Sequence, residues 1–322
     1  MNIPFIITID TEGDNLWAKP KDITTKNAKY LSRFQELCEK CGFKPVYLAN
    51  WEMANSPVFQ EFANNIIKRK TGEIGMHLHA WNTPPDYKLT NDDYNYQPLL
   101  IEYPAQIMEN KIKCMTRKLE DTFQVEIVSH RAGRWAINLQ YIKILQKYGY
   151  KVDCSITPHI DWGRCDEQYR VNKIDYSNFP THAYFMNKKD VSQEGDSSIL
   201  EVPVTIIKDD SFLWIRNNKI LPEIAKRGIN YMFPEKVWLR PNRKNINEII
   251  AICDRMQHKN GVYAEFMLHS SELMPGGSPT FANNNQIENL YHDLNLLFSS
   301  IKNDFSGCTL KEYLHFKLVN QS

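Results

Sequence analysis

The chain has 322 residues, of which 42% are hydrophobic and 24% are charged, a composition typical of a globular protein with a sizeable core. The formal net charge of +1 gives no general attraction to nucleic acid, so we do not expect nucleic acid as a partner. No stretch approaches the roughly 18 apolar residues of a membrane span, and no export signal precedes the first strand pattern. We therefore expect a cytoplasmic protein without an integral membrane segment. Seven scattered cysteines, including a Cys38-x-x-Cys41 pair, fit reduced structural thiols.

The first strand pattern ends in carboxylates. A run rich in β-branched residues begins at Ile3 and leads into Asp10, Glu12 and Asp14. Side chains two apart on a strand point the same way, so Asp10 and Glu12 can converge on one point. This pattern predicts a metal site or a general base at the strand end. The alternative is a solvated acidic turn built on Gly13 and Asp14.

Strand and helix patterns then alternate, which predicts right-handed βαβ units in a parallel sheet or barrel. The predicted strands are 44–50, 73–79, 126–131 and 150–155, and the predicted helices are 27–41, 56–70, 104–123 and 137–148. The segment 80–103 contains two consecutive prolines and many polar residues, and we interpret it as a loop over the mouth of the sheet.

The second half of the chain is less regular. Segment 157–215 is polar and is interpreted as an insertion that contains one strand, 199–206. Helices are predicted at 222–227, 246–258 and 283–301, a strand at 261–268, and a short element at 310–318. No linker composition appears, so we expect one domain covering residues 1–322.

Two histidines end the third strand pattern. His77 and His79 stand two apart, so both imidazoles lie on one face of a strand. With an acid from a neighbouring strand they form a set of ligands that suits zinc, iron, cobalt or manganese, with open positions for water and substrate. A pair of structural histidines is the alternative.

Three further strand ends carry candidate residues. Arg131 and Arg134 follow the next strand, where a guanidinium keeps a carboxylate ionised, binds an anionic group or forms an ordinary ion pair. Asp153 ends the fifth strand, and His269, with the pKa range of a general acid, ends the last strong one. No serine nucleophile elbow, phosphate loop or dinucleotide fingerprint is present, which disfavours covalent acyl transfer, the use of nucleoside triphosphates and hydride transfer.

The ordered motifs TIDTEGD, EIGMHLHAW, SHRAG, GYKVDCSITPHIDW and FMLHSSEL resemble those of the NodB-homology polysaccharide deacetylases, carbohydrate esterase family 4. The resemblance is greatest to a divergent subgroup associated with surface-polysaccharide biosynthesis. It implies a distorted (β/α) barrel of about seven parallel strands, with a long insertion after the fifth strand. It also implies a divalent metal that assists hydrolysis of N-acetyl groups on amino sugars of a surface polysaccharide or its precursor.

The resemblance implies a role for each matched position. Asp10 resembles the catalytic base, Arg131 the arginine that positions it, and Asp153 the acid that tunes that arginine. His269 resembles the general acid. The implied metal ligands are Glu12, His77 and His79, with zinc preferred over cobalt, manganese, iron or nickel. The expected carbohydrate contacts are Arg134, Trp135, Trp81 and Trp162.

The chain departs from the family pattern at three positions. The family's second histidine stands four residues after the first, where this chain has Trp81, so His79 takes its place. Glu12 replaces the more usual aspartate. The family's Arg-x-Pro-Tyr motif reads Arg-Ala-Gly-Arg in this chain, so Arg134 stands where the family has tyrosine. Two other functions stay open: another metal-dependent hydrolase, such as a phosphoesterase, and an inactive glycan-binding protein on the same scaffold. The sequence does not indicate the oligomeric state.

Overall fold

The computed structural model describes residues 2–20, 22–163, 174–208, 222, 235–259 and 262–319. Within these ranges the chain alternates between strands and helices, as the sequence pattern predicts. The strands are β1 Ile3–Thr11, β2 Pro45–Ala49, β3 Glu73–Leu78, β4 Ser129–Ala132, β5 Val152–Asp153, β6 Tyr184–Phe185, β7 Leu200–Glu201, β8 Ile206–Lys208, β9 Lys236–Trp238, β10 Ala264–His269 and β11 Phe305–Gly307.

Seven of these strands form a continuous parallel sheet in the order β10-β1-β2-β3-β4-β5-β7. β6 extends it antiparallel to β7, and β11 pairs with β1. The sheet curls into a half-barrel, and the chain after β7 returns to β10, where the Thr205 amide donates to the Glu265 carbonyl at 3.3 Å. The predicted distorted (β/α) barrel of about seven parallel strands is confirmed.

Helices cover the outer face of the sheet and bury their apolar sides against it. In α3, Pro57 occupies the first turn, where a missing N–H is harmless, and Lys70 ends the helix in the left-handed region. The helices of the described ranges are α1 Leu31–Lys40, α2 Trp51–Ala54, α3 Pro57–Arg69, α4 Asp93–Tyr96, α5 Ala105–Phe123, α6 Leu139–Lys147, α7 Ile246–Met256, α8 Asn284–Ile301 and α9 Leu310–Val319.

One strand within the predicted insertion belongs to the main sheet. The strand expected at 199–206 supplies β7, which pairs in parallel with β5 and so belongs to the barrel. The outer bounds 157–215 stay a prediction, because the end of that range lies outside the described residues. Residues 209–215, like most of the helix predicted at 222–227, lie outside the described residues. β11 was not predicted.

The mouth loop 80–103 is largely irregular, as predicted, and contains only the short helix α4 and a 3-10 turn at Leu100–Glu102. It is held from below by a buried lysine of α5. Lys111 Nζ donates to the carbonyls of Thr83 at 2.5 Å and Pro85 at 2.8 Å. In the described ranges, no helix is both long enough and apolar enough to cross a membrane.

Candidate active site

The carboxyl ends of four strands, β10, β1, β3 and β4, bring the predicted site residues together. Asp10 of β1 is in register with His269 of β10, and His77 of β3 is in register with Arg131 of β4. Parallel strands end at the same edge of a sheet, so residues distant in sequence meet there. The turn after β1 adds Glu12.

Glu12, His77 and His79 form a compact set of candidate metal ligands. Their ligand atoms all lie within 4.8 Å of one another, and all three side chains are buried. Glu12 Oε2 lies 3.5 Å from His77 Nε2 and 3.4 Å from His79 Nε2. Two imidazole nitrogens and one carboxylate oxygen around a common point are the ligands of a three-residue site for zinc or a similar ion.

Hydrogen bonds and stacking fix the orientation of the two imidazoles. His77 Nδ1 lies 3.0 Å from the Arg131 carbonyl, which can only accept, so Nδ1 carries a proton and Nε2 is the ring nitrogen that faces Glu12. The His79 ring stacks on Trp81 at 4.3 Å between centroids. Burial and the neighbouring His77 hold the pKa of His79 well below its usual value, which keeps it neutral. These residues fit a divalent cation.

Asp10 is held by a buried arginine. Arg131 Nη1 donates to Asp10 Oδ1 at 2.7 Å, its Nη2 donates to Glu265 Oε1 at 2.6 Å, and its Nε donates to the Cys154 carbonyl at 2.9 Å. Burial alone would raise the pKa of Asp10, but Arg131 and the neighbouring histidines outweigh it and lower that pKa. Asp10 is therefore an ionised carboxylate at the edge of the cavity.

The partner predicted for Arg131 was wrong. Asp153 does not contact this arginine: its Oδ1 accepts from His130 Nδ1 at 2.6 Å, and it also binds the Ser155 hydroxyl. Successive residues of a strand point to opposite faces, so His130 and Asp153 lie on the side of the sheet away from Arg131. The second acid on Arg131 is Glu265 of β10, which the sequence analysis did not identify.

His269 lies across the cavity entrance from the metal-ligand set. Its Nε2 is 3.7 Å from Asp10 Oδ2 and 4.0 Å from Glu12 Oε1. Behind the ring, Glu272 Oε2 is 3.3 Å from Nδ1, and Arg240 Nη2 is 3.1 Å from the same atom. Nε2 is thus the ring nitrogen that faces Asp10 and the cavity.

A cavity of about 370 Å³ unites most of the predicted residues. Asp10, Glu12, His77, His79 and His269 line it, together with all four predicted carbohydrate contacts, Trp81, Arg134, Trp135 and Trp162. Arg131 lies beneath Asp10. Arg134 Nη1 donates to the Gln97 carbonyl at 2.9 Å and so joins the mouth loop to β4.

Asp14 has a structural position. Its carboxylate accepts from the backbone amides of Lys26 at 3.0 Å and Asn27 at 2.9 Å, and from the Thr24 hydroxyl at 2.5 Å. It therefore braces the 3-10 turn that follows. These contacts are those of a turn residue.

Several residues of the site were missed in the sequence. Glu265 had a signal, a single acid inside the apolar strand AEFML, and burial of such a group requires a partner. Glu272, three residues after His269, had the spacing of a capping acid. Trp17, whose ring meets His269 edge-on at 4.9 Å, and Arg240 had no distinguishing pattern.

The chain is similar to known proteins in structure, whereas sequence comparison finds no match. No sequence-family profile and no curated protein sequence matches the chain. A Mycobacterium smegmatis protein described as a polysaccharide deacetylase is similar in structure, with a TM-score of 0.56 and 14% identity, over 99% of this chain and 92% of that one. The 4-alpha-glucanotransferase of Thermococcus litoralis has a TM-score of 0.54 and 15% identity, over 98% of this chain.

The chain corresponds to 40% of the length of that glucanotransferase, so a transferase shares the same barrel and the barrel alone does not define the reaction. A carbohydrate esterase family 4 domain of a xylanase from a Trinervitermes trinervoides hindgut metagenome is a more distant neighbour, with a TM-score of 0.46 and 9% identity, over 98% of this chain and 92% of that one. The resemblance stated from the motifs is confirmed for the fold: the chain has the distorted (β/α) barrel of the polysaccharide deacetylases.

Proposed function

We propose that the protein is a metal-dependent hydrolase that removes an N-acyl group, with acetyl as the first candidate, from an amino sugar of a surface polysaccharide or its precursor. One observation carries the proposal. A buried Glu12, His77 and His79 set, an arginine-held Asp10 and the exposed edge of His269 share one cavity in a polysaccharide deacetylase fold.

Each side chain of the site has a separate role in the proposed amide hydrolysis. Glu12, His77 and His79 would hold a divalent ion, which supplies a Lewis acid that polarises an amide carbonyl and acidifies water. Asp10, ionised because of Arg131, accepts the proton of the attacking water. His269 Nε2 faces the same space and gives a proton to the departing amine.

The walls of the cavity suit a carbohydrate. Trp135 and Trp162 stack nearly parallel, 6.4 Å apart between ring centroids with an interplanar angle of 8°, and Trp81, which stacks on His79, also lines the cavity. Flat aromatic faces beside a few polar groups are typical of sites for partly apolar ligands such as sugar rings. We place the reaction in the cytoplasm, on a soluble or lipid-linked sugar. The six cysteines of the described ranges, all free thiols, support that setting.

A metal titration tests the first step. Purified protein, stripped and then titrated with zinc, should bind about one ion per chain. His77→Ala should weaken binding at least about 100-fold, because it removes a ligand of the site. The matched control is His292→Ala, a change of an exposed histidine on α8. Binding that does not depend on His77 would reject the metal site.

A turnover assay separates the enzyme from the second candidate, a glycan-binding protein without activity. The tryptophan-rich cavity and Trp81 at the family's second histidine position favour that candidate. Release of acetate from N-acetylated sugars, nucleotide sugars and oligosaccharides should be measured for wild type and Asp10→Asn. Turnover that Asp10→Asn abolishes while sugar binding persists supports the enzyme; binding without wild-type turnover on any substrate supports the binding protein.

A further inference from the structure

A second cavity lies directly beside the first. It has a volume of about 360 Å³ and is formed largely by β9 and the turn that follows it. Arg240 lines both cavities, so the two spaces meet at this side chain. Lys236, Trp238 and Glu272 are the other lining residues that determine its chemistry.

The cavity offers unused positive charge. Arg240 Nη2 donates to Glu272 Oε1 at 2.9 Å and points at His269 Nδ1, but no described residue accepts from its Nε or Nη1. Lys236 Nζ donates one proton to the His159 carbonyl at 2.7 Å, which leaves two N–H bonds. Guanidinium and ammonium donors in a concave site are the groups that bind phosphate and carboxylate.

The one acid among the described lining residues balances the charge of Arg240 but not that of Lys236. Glu272 is 1% exposed, and both of its oxygens are engaged, Oε1 by Arg240 and Oε2 by the backbone amide of His269 at 2.9 Å. Burial would raise its pKa, but Arg240 and His269 lower it to about 2. Its carboxylate therefore forms a buried ion pair with Arg240, and Lys236 supplies the net positive charge of the cavity.

A tryptophan connects the two cavities. Trp238 lines the second one, and its ring packs edge-on against Trp135 at 6.0 Å and Trp162 at 6.3 Å, both of which line the first. The three rings form a continuous apolar wall. A saccharide bound in the first cavity can follow this wall into the second, where it meets Lys236 and Arg240.

We propose that the second cavity binds the oxyanion group, phosphate or carboxylate, of a saccharide whose N-acyl amino sugar occupies the first cavity. The anion site is independent of the proposed reaction, whereas its assignment to the substrate rests on the proposed deacetylase function. The substrate class is thus an acidic amino-sugar glycan or a sugar phosphate, rather than a neutral chitin-like chain.

Phosphate binding tests the anion site without an activity assay. Calorimetric titration with inorganic phosphate at low ionic strength should show saturable binding to wild type, and Lys236→Met should weaken it about tenfold, because a charged hydrogen bond is lost. Lys236→Arg should retain it. Lys143→Met, which removes one exposed charge from α6, is the matched control and should bind like wild type. Melting curves confirm that each variant is folded.

Substrate preference then identifies the source of the anion. KM should be lower for N-acetylglucosamine 1-phosphate, or for a disaccharide of N-acetylglucosamine and glucuronic acid, than for neutral N-acetylglucosamine oligomers. Lys236→Met should reduce this difference in KM between anionic and neutral substrates. A preference for the phosphate or for the uronate assigns the group. Absence of phosphate binding, or equal binding by Lys236→Met, overturns the anion site even if the protein deacetylates neutral sugars. Phosphate binding without any turnover supports the anion site and rejects the proposed reaction.

Discussion

Two neighbouring residues of β4, His130 and Arg131, belong to two different buried ionic clusters. Arg131 points into the barrel, where it binds Asp10 and Glu265 beside the cavity. His130 points the other way, where it binds Asp153 and, through Nε2, the Tyr141 hydroxyl at 2.8 Å. We call these the cavity cluster (Asp10, Arg131, Glu265) and the sealed cluster (His130, Asp153, Tyr141).

A buried carboxylate with a cationic or imidazole partner is not by itself a catalytic sign. Both clusters lower the pKa of an aspartate against the effect of burial. Only Asp10 has an oxygen that faces a cavity, next to His269 and Glu12. Asp153 instead lies beside Glu201, whose pKa is raised by burial and by the Asp153 charge. Access to a ligand separates function from structural support.

The largest expected effect comes from breaking the cavity cluster at its carboxylate. Asp10→Asn keeps an oxygen that accepts from Arg131 but loses the base, so turnover should fall about 10³-fold. Thermal unfolding should change little. Steady-state deacetylation and a melting curve on the same preparation test both statements. Retention of wild-type turnover would remove Asp10 from the base role.

Breaking the sealed cluster should affect stability instead. Asp153→Ala leaves His130 and the neighbouring polar groups buried without their partner, which should lower the free energy of unfolding by about 3 kcal/mol. Urea unfolding measures this change. Asp196→Ala, which removes an exposed ion pair with Lys188, is the control and should unfold like wild type. A loss of turnover in folded Asp153→Ala, without a loss of stability, would contradict the structural role.

Glu272, which contacts His269 at the cavity edge, should make the stability of the protein depend on pH. Its pKa is lowered from 4.5 to about 2, so the folded state favours the ionised form. Its contribution, about 2 kcal/mol from charged hydrogen bonds, is complete above pH 4.5 and is lost as the pH falls towards 2. The difference in unfolding free energy between wild type and Glu272→Gln should therefore narrow over that window. A difference that stays constant from pH 6 to pH 2 would rule out this ionisation as its cause.

The two clusters also differ in how far their contacts could be predicted from the sequence. The strand ends and the pairing of His77 with His79 follow from local periodicity, because side chains two apart share a face, whereas Glu12 rather than Asp10 was assigned as a ligand by the family resemblance. The partner of Arg131 does not follow from local periodicity, because it depends on the pairing of β10 with β1, a contact between residues 259 apart in the chain, such as Phe5 and Ala264, that local patterns do not encode. β5 and β7 were predicted, but each is shorter in the structure than the predicted range, because the hydrogen bonds that define their ends come from neighbouring strands.

The smallest expected effect distinguishes the two hydrogen bonds of His130. Asp153 accepts from Nδ1, so Nε2 is the acceptor for the Tyr141 hydroxyl. Tyr141→Phe removes one buried hydrogen bond and should lower the free energy of unfolding by about 1 kcal/mol, while kcat stays unchanged. Tyr30→Phe, at an exposed position, controls for the change of residue type. Because the sealed cluster has no route to the cavity, a fall in kcat with unchanged stability would show that the two clusters are coupled through β4 and that the separation drawn between them is wrong.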